Sequence, residues 1–129
     1  MIPTWRDVNV ALRDRDAPFA GLTELLFAVE RGLDLPLEGG DALDMMLGLN
    51  RSDPIVNSDD AIAWAERLVP GARLQFWNQA SGGGWCATVT RRAEGVEAQA
   101  TALTLPLALI KATVEARVDL DFLSAPDPS

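Results

Sequence analysis

Apolar and polar positions alternate with two different periods along this chain, and the change of period divides it. From Arg73 to Ala102 the period is two, and Leu74–Asn78, Trp85–Thr90 and Val96–Thr101 read as three short strands. Gly82-Gly83-Gly84 and Arg91–Gly95 separate them, with glycine supplying the positive φ that tight hairpins need. A meander this small cannot bury its own faces, so it is expected to be the element that the helices are organised around.

On either side the spacing is helical. Trp5, Val8, Ala11 and Leu12 predict a helix over Thr4–Asp14, with Thr4 as N-cap and Asp7 placed as in a capping box. Leu22, Leu25, Leu26 and Val29 predict a second over Leu22–Arg31, stopped at Gly32. Leu43, Met46 and Leu47 predict a short one over Asp41–Leu49. Ser58-Asp59-Asp60 opens a further helix, a hydroxyl cap followed by carboxylates in the first turn, and Pro70-Gly71 ends it. Thr104 caps the last helix, with Pro106 tolerated in its first turn and an apolar stripe from Leu107 through Val114. Beyond Val118 the chain turns into an acidic, proline-rich tail that is expected to be loose at its end.

The expected fold class is therefore α+β. N-terminal helices (residues 1–57) precede an α-β-β-β-α unit (58–118) with a three-stranded antiparallel sheet packed against helices, and an acidic tail (119–129) follows. All of it is expected to be one domain. Small Ala98 and Ala100 on the third strand let a helix approach closely, while the element order leaves open whether helices cover one sheet face or both.

Composition narrows the function classes. The single cysteine, Cys86, excludes an intramolecular disulfide and favours a reducing compartment. No leader-like N-terminus is seen, since Arg6 and Asp7 interrupt it, and no apolar run approaches the ~20 residues of a membrane span. A cytoplasmic protein that does not bind membranes is expected. Formal net charge is −8, with ten arginines and Lys111 alone as lysine. Such a field repels nucleic acid and anionic membranes and attracts basic partners.

With no histidine in the chain, Ser-His-Asp and Cys-His catalysis and histidine metal sites are excluded. Cys86 lies mid-strand beside Trp85, where a buried, inert thiol is expected. The triple glycine is followed by a strand rather than a helix, so it reads as a turn and not a phosphate cradle. Asp41/Asp44 and Asp59/Asp60 are carboxylate pairs that could bind Mg²⁺, but helix-start electrostatics and a solvated helix face account for them. Arg91-Arg92 in the second turn reads as solvated. The α-β-β-β-α order matches double-stranded-RNA-binding domains, yet Thr104-Leu105-Pro106-Leu107 replaces the basic helix start they need. No catalytic residue, cofactor or metal is expected.

Two stretches, Asn57–Pro70 and Ala100–Val114, resemble the phage ABA sandwich domain family of small phage and prophage proteins, and Leu22–Glu30 is similar to the helix that often precedes that domain. The resemblance covers about Leu22 to Ala116; Met1–Gly21 has no counterpart in it. It implies a phage or prophage context and an α/β sandwich, and it brings no activity or site residues with it.

Together these features lead to an expected non-enzymatic accessory protein acting by protein–protein contact. A concrete form is an acidic, nucleic-acid-mimicking inhibitor of a host defence nuclease complex, of the anti-CRISPR type, resident in the host cytoplasm. The expected partner is a basic or nucleic-acid-binding host protein. Candidate contacts are Asp14, Asp16, Asp41, Asp44, Asp59, Asp60, Asp119 and Asp121, with Trp77 and Trp85 flanking the first hairpin as core or as an aromatic patch. The alternatives are a structural component of a phage-like particle and, less favoured, a metal-dependent enzyme using the aspartate pairs.

Overall fold

The computed structural model describes residues 4–13, 15, 22–32, 58–79 and 83–124. Helix α1 spans Trp5–Leu12 and α2 Leu22–Arg31. Helix α3 spans Ser58–Leu68 and α4 Leu105–Ser124. The strands are β1 Arg73–Asn78, β2 Trp85–Arg91 and β3 Val96–Ala102. The short helix expected over Asp41–Leu49 lies outside the described residues.

Local chemistry accounts for the boundaries. Thr4 caps α1 through a complete capping box: its hydroxyl accepts from the Asp7 N–H, and its own N–H donates to Asp7 Oδ2 at 2.9 Å. The β1–β2 hairpin is closed by the Gln79 N–H donating to the Gly84 carbonyl at 2.9 Å, with Gly83 at φ +62° where a Cβ would be strained. Between β2 and β3 a 3₁₀ turn, Arg92–Glu94, ends in Gly95 at φ +71°.

The sheet is antiparallel in the order β1-β2-β3. Its register sets Leu74 opposite Val89 and Val89 opposite Ala98, so these share one face with Ala87, Ala100 and Ala102. That face meets the core cluster, and the helix lying on it is α4, which packs along β2 and β3. Ala98 is buried beneath it and Ala100 partly so, as the small side chains of β3 led one to expect, and Ala102 is buried as well.

The element at the centre is α4 rather than the meander. Leu107, Ile110 and Val114 are buried, and so are Ala108, Leu109, Ala112 and Ala116 on its other sides. A helix apolar all round must lie between layers. The sheet covers one side of α4, and α1 and α3 cover the rest. Polar ties fix this packing. The Lys111 ammonium donates to the carbonyls of Thr101 (2.9 Å) and Arg15 (2.7 Å), joining α4 to the end of β3 and the exit of α1. Arg117 donates to the Leu68 carbonyl at 2.9 Å, satisfying the C-terminal end of α3. Arg67 pairs with Glu30 at 2.7 Å and so links α3 to α2.

Helix α4 also overruns the expected start of the tail. It continues through Asp119 to Ser124, because Leu120 is buried one turn after Ala116 and Asp121 pairs with Arg117 at 3.2 Å. Acidic composition masked an apolar spacing that persists for another turn.

Candidate interaction surface

Strand β1 is an edge strand, and five of its six residues are exposed. The cause is geometric: α4 lies over β2 and β3, so β1 overhangs it. Phe76, opposite Ala87 on the helix-bearing face, is consequently 39% exposed. Its neighbour Trp77 points to the other face and is 45% exposed. An edge strand carrying aromatic side chains on both faces offers apolar anchors together with backbone groups that no strand pairs among the described residues.

The face away from α4 is a small polar grid. Register aligns Trp77 with Cys86 and Thr101, Gln75 with Thr88 and Gln99, and Arg73 with Thr90 and Glu97. Cys86 and Thr88, in the middle column, are nevertheless buried. Gln99 donates to Cys86 Sγ at 3.1 Å, and Trp77 stands directly opposite across the β1–β2 pair. The thiol is buried, in agreement with its sequence reading.

The residues singled out from sequence do not converge on one place. Trp77 and Trp85 lie on opposite sheet faces: Trp77 is exposed, whereas Trp85 is half-buried against the core cluster. Asp59 (exposed) and Asp60 (half-buried) occupy the first turn of α3, and both are engaged in interactions. Asp119 and Asp121 are exposed in the last turns of α4, with Asp121 held by Arg117. Asp14, Asp16, Asp41 and Asp44 lie outside the described residues. Charge divides unevenly between the two parts of the chain. The described residues hold eleven carboxylates and ten basic side chains, close to neutral, while the others hold eight carboxylates and Arg51.

One cleft, lined by Asn9, Arg13, Thr101, Lys111 and Glu115, sits where α1, α4 and the β3 edge meet. Partial burial raises the Glu115 pKa above its ordinary 4.5, and Asp119 adds to this while Arg13 opposes it. A carboxyl that ionises less readily when folded costs stability as pH rises from the unfolded pKa through the folded one. Glu115→Gln is therefore expected to raise the urea midpoint at pH 7, with the gain shrinking as pH falls through the raised folded pKa and vanishing below 4.5. Urea melts of both proteins across that range check it.

A feature missed in the sequence is the grouping of three arginines. Arg73 opens β1 and stands opposite Thr90, beside Arg91 at the end of β2 and Arg92 in the 3₁₀ turn. Arg73, Arg91 and Arg92 line one cleft of about 510 Å³ with Pro70, Gly71 and Thr90. The signal was available: antiparallel pairing of β1 and β2 necessarily places the start of one beside the end of the other.

Among the described residues no three His, Cys, Asp or Glu side chains are grouped as metal ligands, and no helix is long and apolar enough to cross a membrane. Compared with family models, curated proteins and solved structures, the chain matches none.

Proposed function

We propose that this is a non-enzymatic accessory protein of phage or prophage context that acts by binding a basic host protein. The observation that carries the reading is Trp77, an aromatic side chain 45% exposed on an edge strand whose outer backbone groups have no strand beside them among the described residues. Tryptophans at such positions are characteristic anchors of protein interfaces. The sign of the partner follows from charge: a net −8 chain attracts a basic surface, and most of the excess is carried by residues 14–16 and 33–57 rather than by the packed frame. The frame then supplies rigidity and an apolar anchor, and the carboxylates supply steering. Inhibition of a host defence nuclease by occupying its nucleic-acid groove is the concrete form of this reading, supported by the family resemblance and the charge.

Capture from host lysate with mass spectrometry tests it when wild type is compared with Trp77→Ala and with Asp41→Lys/Asp44→Lys. The prey is expected to be a basic, nucleic-acid-binding protein, lost in 0.5 M salt or on charge reversal. Its retention should fall by roughly tenfold or more in Trp77→Ala, the loss of a hot-spot side chain. Trp77→Ala should meanwhile melt within about 1 kcal/mol of wild type, because the side chain is half outside already. Prey indifferent to both substitutions would remove the reading. Self-association alone, visible by light scattering, would favour a particle component instead.

A further inference from the structure

We infer that the cleft between the α3–β1 turn and the β2–β3 turn binds a compact phosphate group, such as that of a nucleotide or a small phosphorylated metabolite. Arg73, Arg91 and Arg92 line it together with Thr90. Arg91 Nε is taken by Glu94 at 3.0 Å, but the guanidinium groups of Arg73 and Arg92 have no ion-pair or hydrogen-bond partner among the described residues. In a chain with eight more acids than bases, two arginines beside a third, without an acidic partner among the described residues, repel one another at a cost that a bound anion would relieve. Guanidinium forks match tetrahedral oxyanions, and a phosphate dianion offers enough oxygens for two forks and a hydroxyl at once.

Size is limited by the same electrostatics. The field of these arginines is screened beyond a Debye length of about 8 Å. Glu94 and Glu97 stand at the rim and narrow the positive zone further. A nucleic-acid strand would carry its other phosphates beyond that zone, past Glu94 and Glu97, whereas a single phosphate or pyrophosphate need not. The site is separate from the Trp77 contact and does not depend on the protein-binding reading.

The test is titration of the full chain with inorganic pyrophosphate at low salt, followed by the arginine Nε–Hε resonances in NMR, with ADP and a 20-nucleotide single strand as further arms. Pyrophosphate is expected to shift the signals of Arg73 and Arg92. Arg73→Gln/Arg92→Gln should weaken binding by roughly tenfold or more, the loss of two charge-assisted contacts. Arg31→Gln, which removes the same charge from the exposed end of α2, should change it by less than about twofold. ADP binding with the same arginine dependence would identify a nucleotide as the source, and pyrophosphate alone a free phosphate. The proposal is overturned by absence of shifts at Arg73 and Arg92, by an equal loss in Arg31→Gln, or by tighter binding of the oligonucleotide than of pyrophosphate. Both glutamines stand at exposed positions, and unchanged circular dichroism confirms that the variants are folded.

Discussion

Trp64→Ala is expected to cost about 3–5 kcal/mol, enough to leave a domain of ordinary stability partly unfolded at room temperature. Trp64 is the largest fully buried side chain, 2% exposed in the middle of α3. Its ring meets that of Trp5 edge to face, with centroids 5.8 Å apart and planes at 73°, so the substitution also removes an aromatic pair worth about 0.5–1.5 kcal/mol. The cavity would open where α1 and α3 both rest on α4, and neither can collapse inward without losing its own contact with that helix. Trp64→Phe should recover most of the loss, because Trp64 Nε1 has no hydrogen-bond acceptor among the described residues and its removal breaks no bond. Urea denaturation of the three proteins gives the comparison. A shift below about 1 kcal/mol for Trp64→Ala would mean that α3 is not seated as described.

Ending the chain after Val118 is expected to destabilise it by about 2–3 kcal/mol, whereas ending it after Ser124 should change little. The shorter protein loses Leu120, which is buried, and the Asp121 partner of Arg117. It also loses Phe122, which lines a cleft with Trp5 and Val118 but is itself exposed. The longer protein keeps every one of these groups. Thermal melts of the two truncations distinguish a helical continuation from a loose tail: equal melting temperatures would show that residues 119–124 contribute nothing to the packing.

Both effects bear on how much could be read from the residues alone. Periodicity placed all three strands to within a residue at their ends, because β2 and β3 alternate small or branched apolar side chains with polar ones, and Gly83 and Gly95 mark the turns. It also placed α1 through its Thr4–Asp7 capping box and α2 through its leucine spacing. Less legible was α4. The stripe of Leu107, Ile110 and Val114 could be read from spacing, whereas the burial of Ala108, Ala112 and Ala116 depends on the elements packed around the helix. The candidate surface was legible in part. Trp77 could be marked as either core or patch, and the choice between these turned on where α4 lies across the sheet, which is a tertiary fact. Trp85, one residue type and one hairpin away, falls on the other face because antiparallel register sets it opposite Asn78 rather than beside Trp77. The arginine cleft is likewise a consequence of strand pairing, since Arg73 and Arg91 are distant in sequence and adjacent in the sheet.

The charge is unevenly spread. Among the described residues carboxylates and basic side chains nearly balance, some of them in pairs such as Arg67–Glu30 and Arg91–Glu94. Exposed pairs of this kind are worth little in stability, so their effect is chiefly on the field around the frame. The excess that a basic partner would feel resides elsewhere in the chain.

The central claim is that the core is built around α4 and leaves β1, which carries Trp77, as an edge that no strand covers among the described residues. Native-state hydrogen exchange tests it most directly. Amides of α4 between Leu109 and Ala116 and of β2 should exchange last, through global unfolding. Alternate β1 amides, those pointing away from β2, should exchange by local opening and roughly a hundredfold faster or more. Uniformly slow exchange along Arg73–Asn78 would contradict the account, since it would mean that the edge is covered and Trp77 is not free to meet a partner.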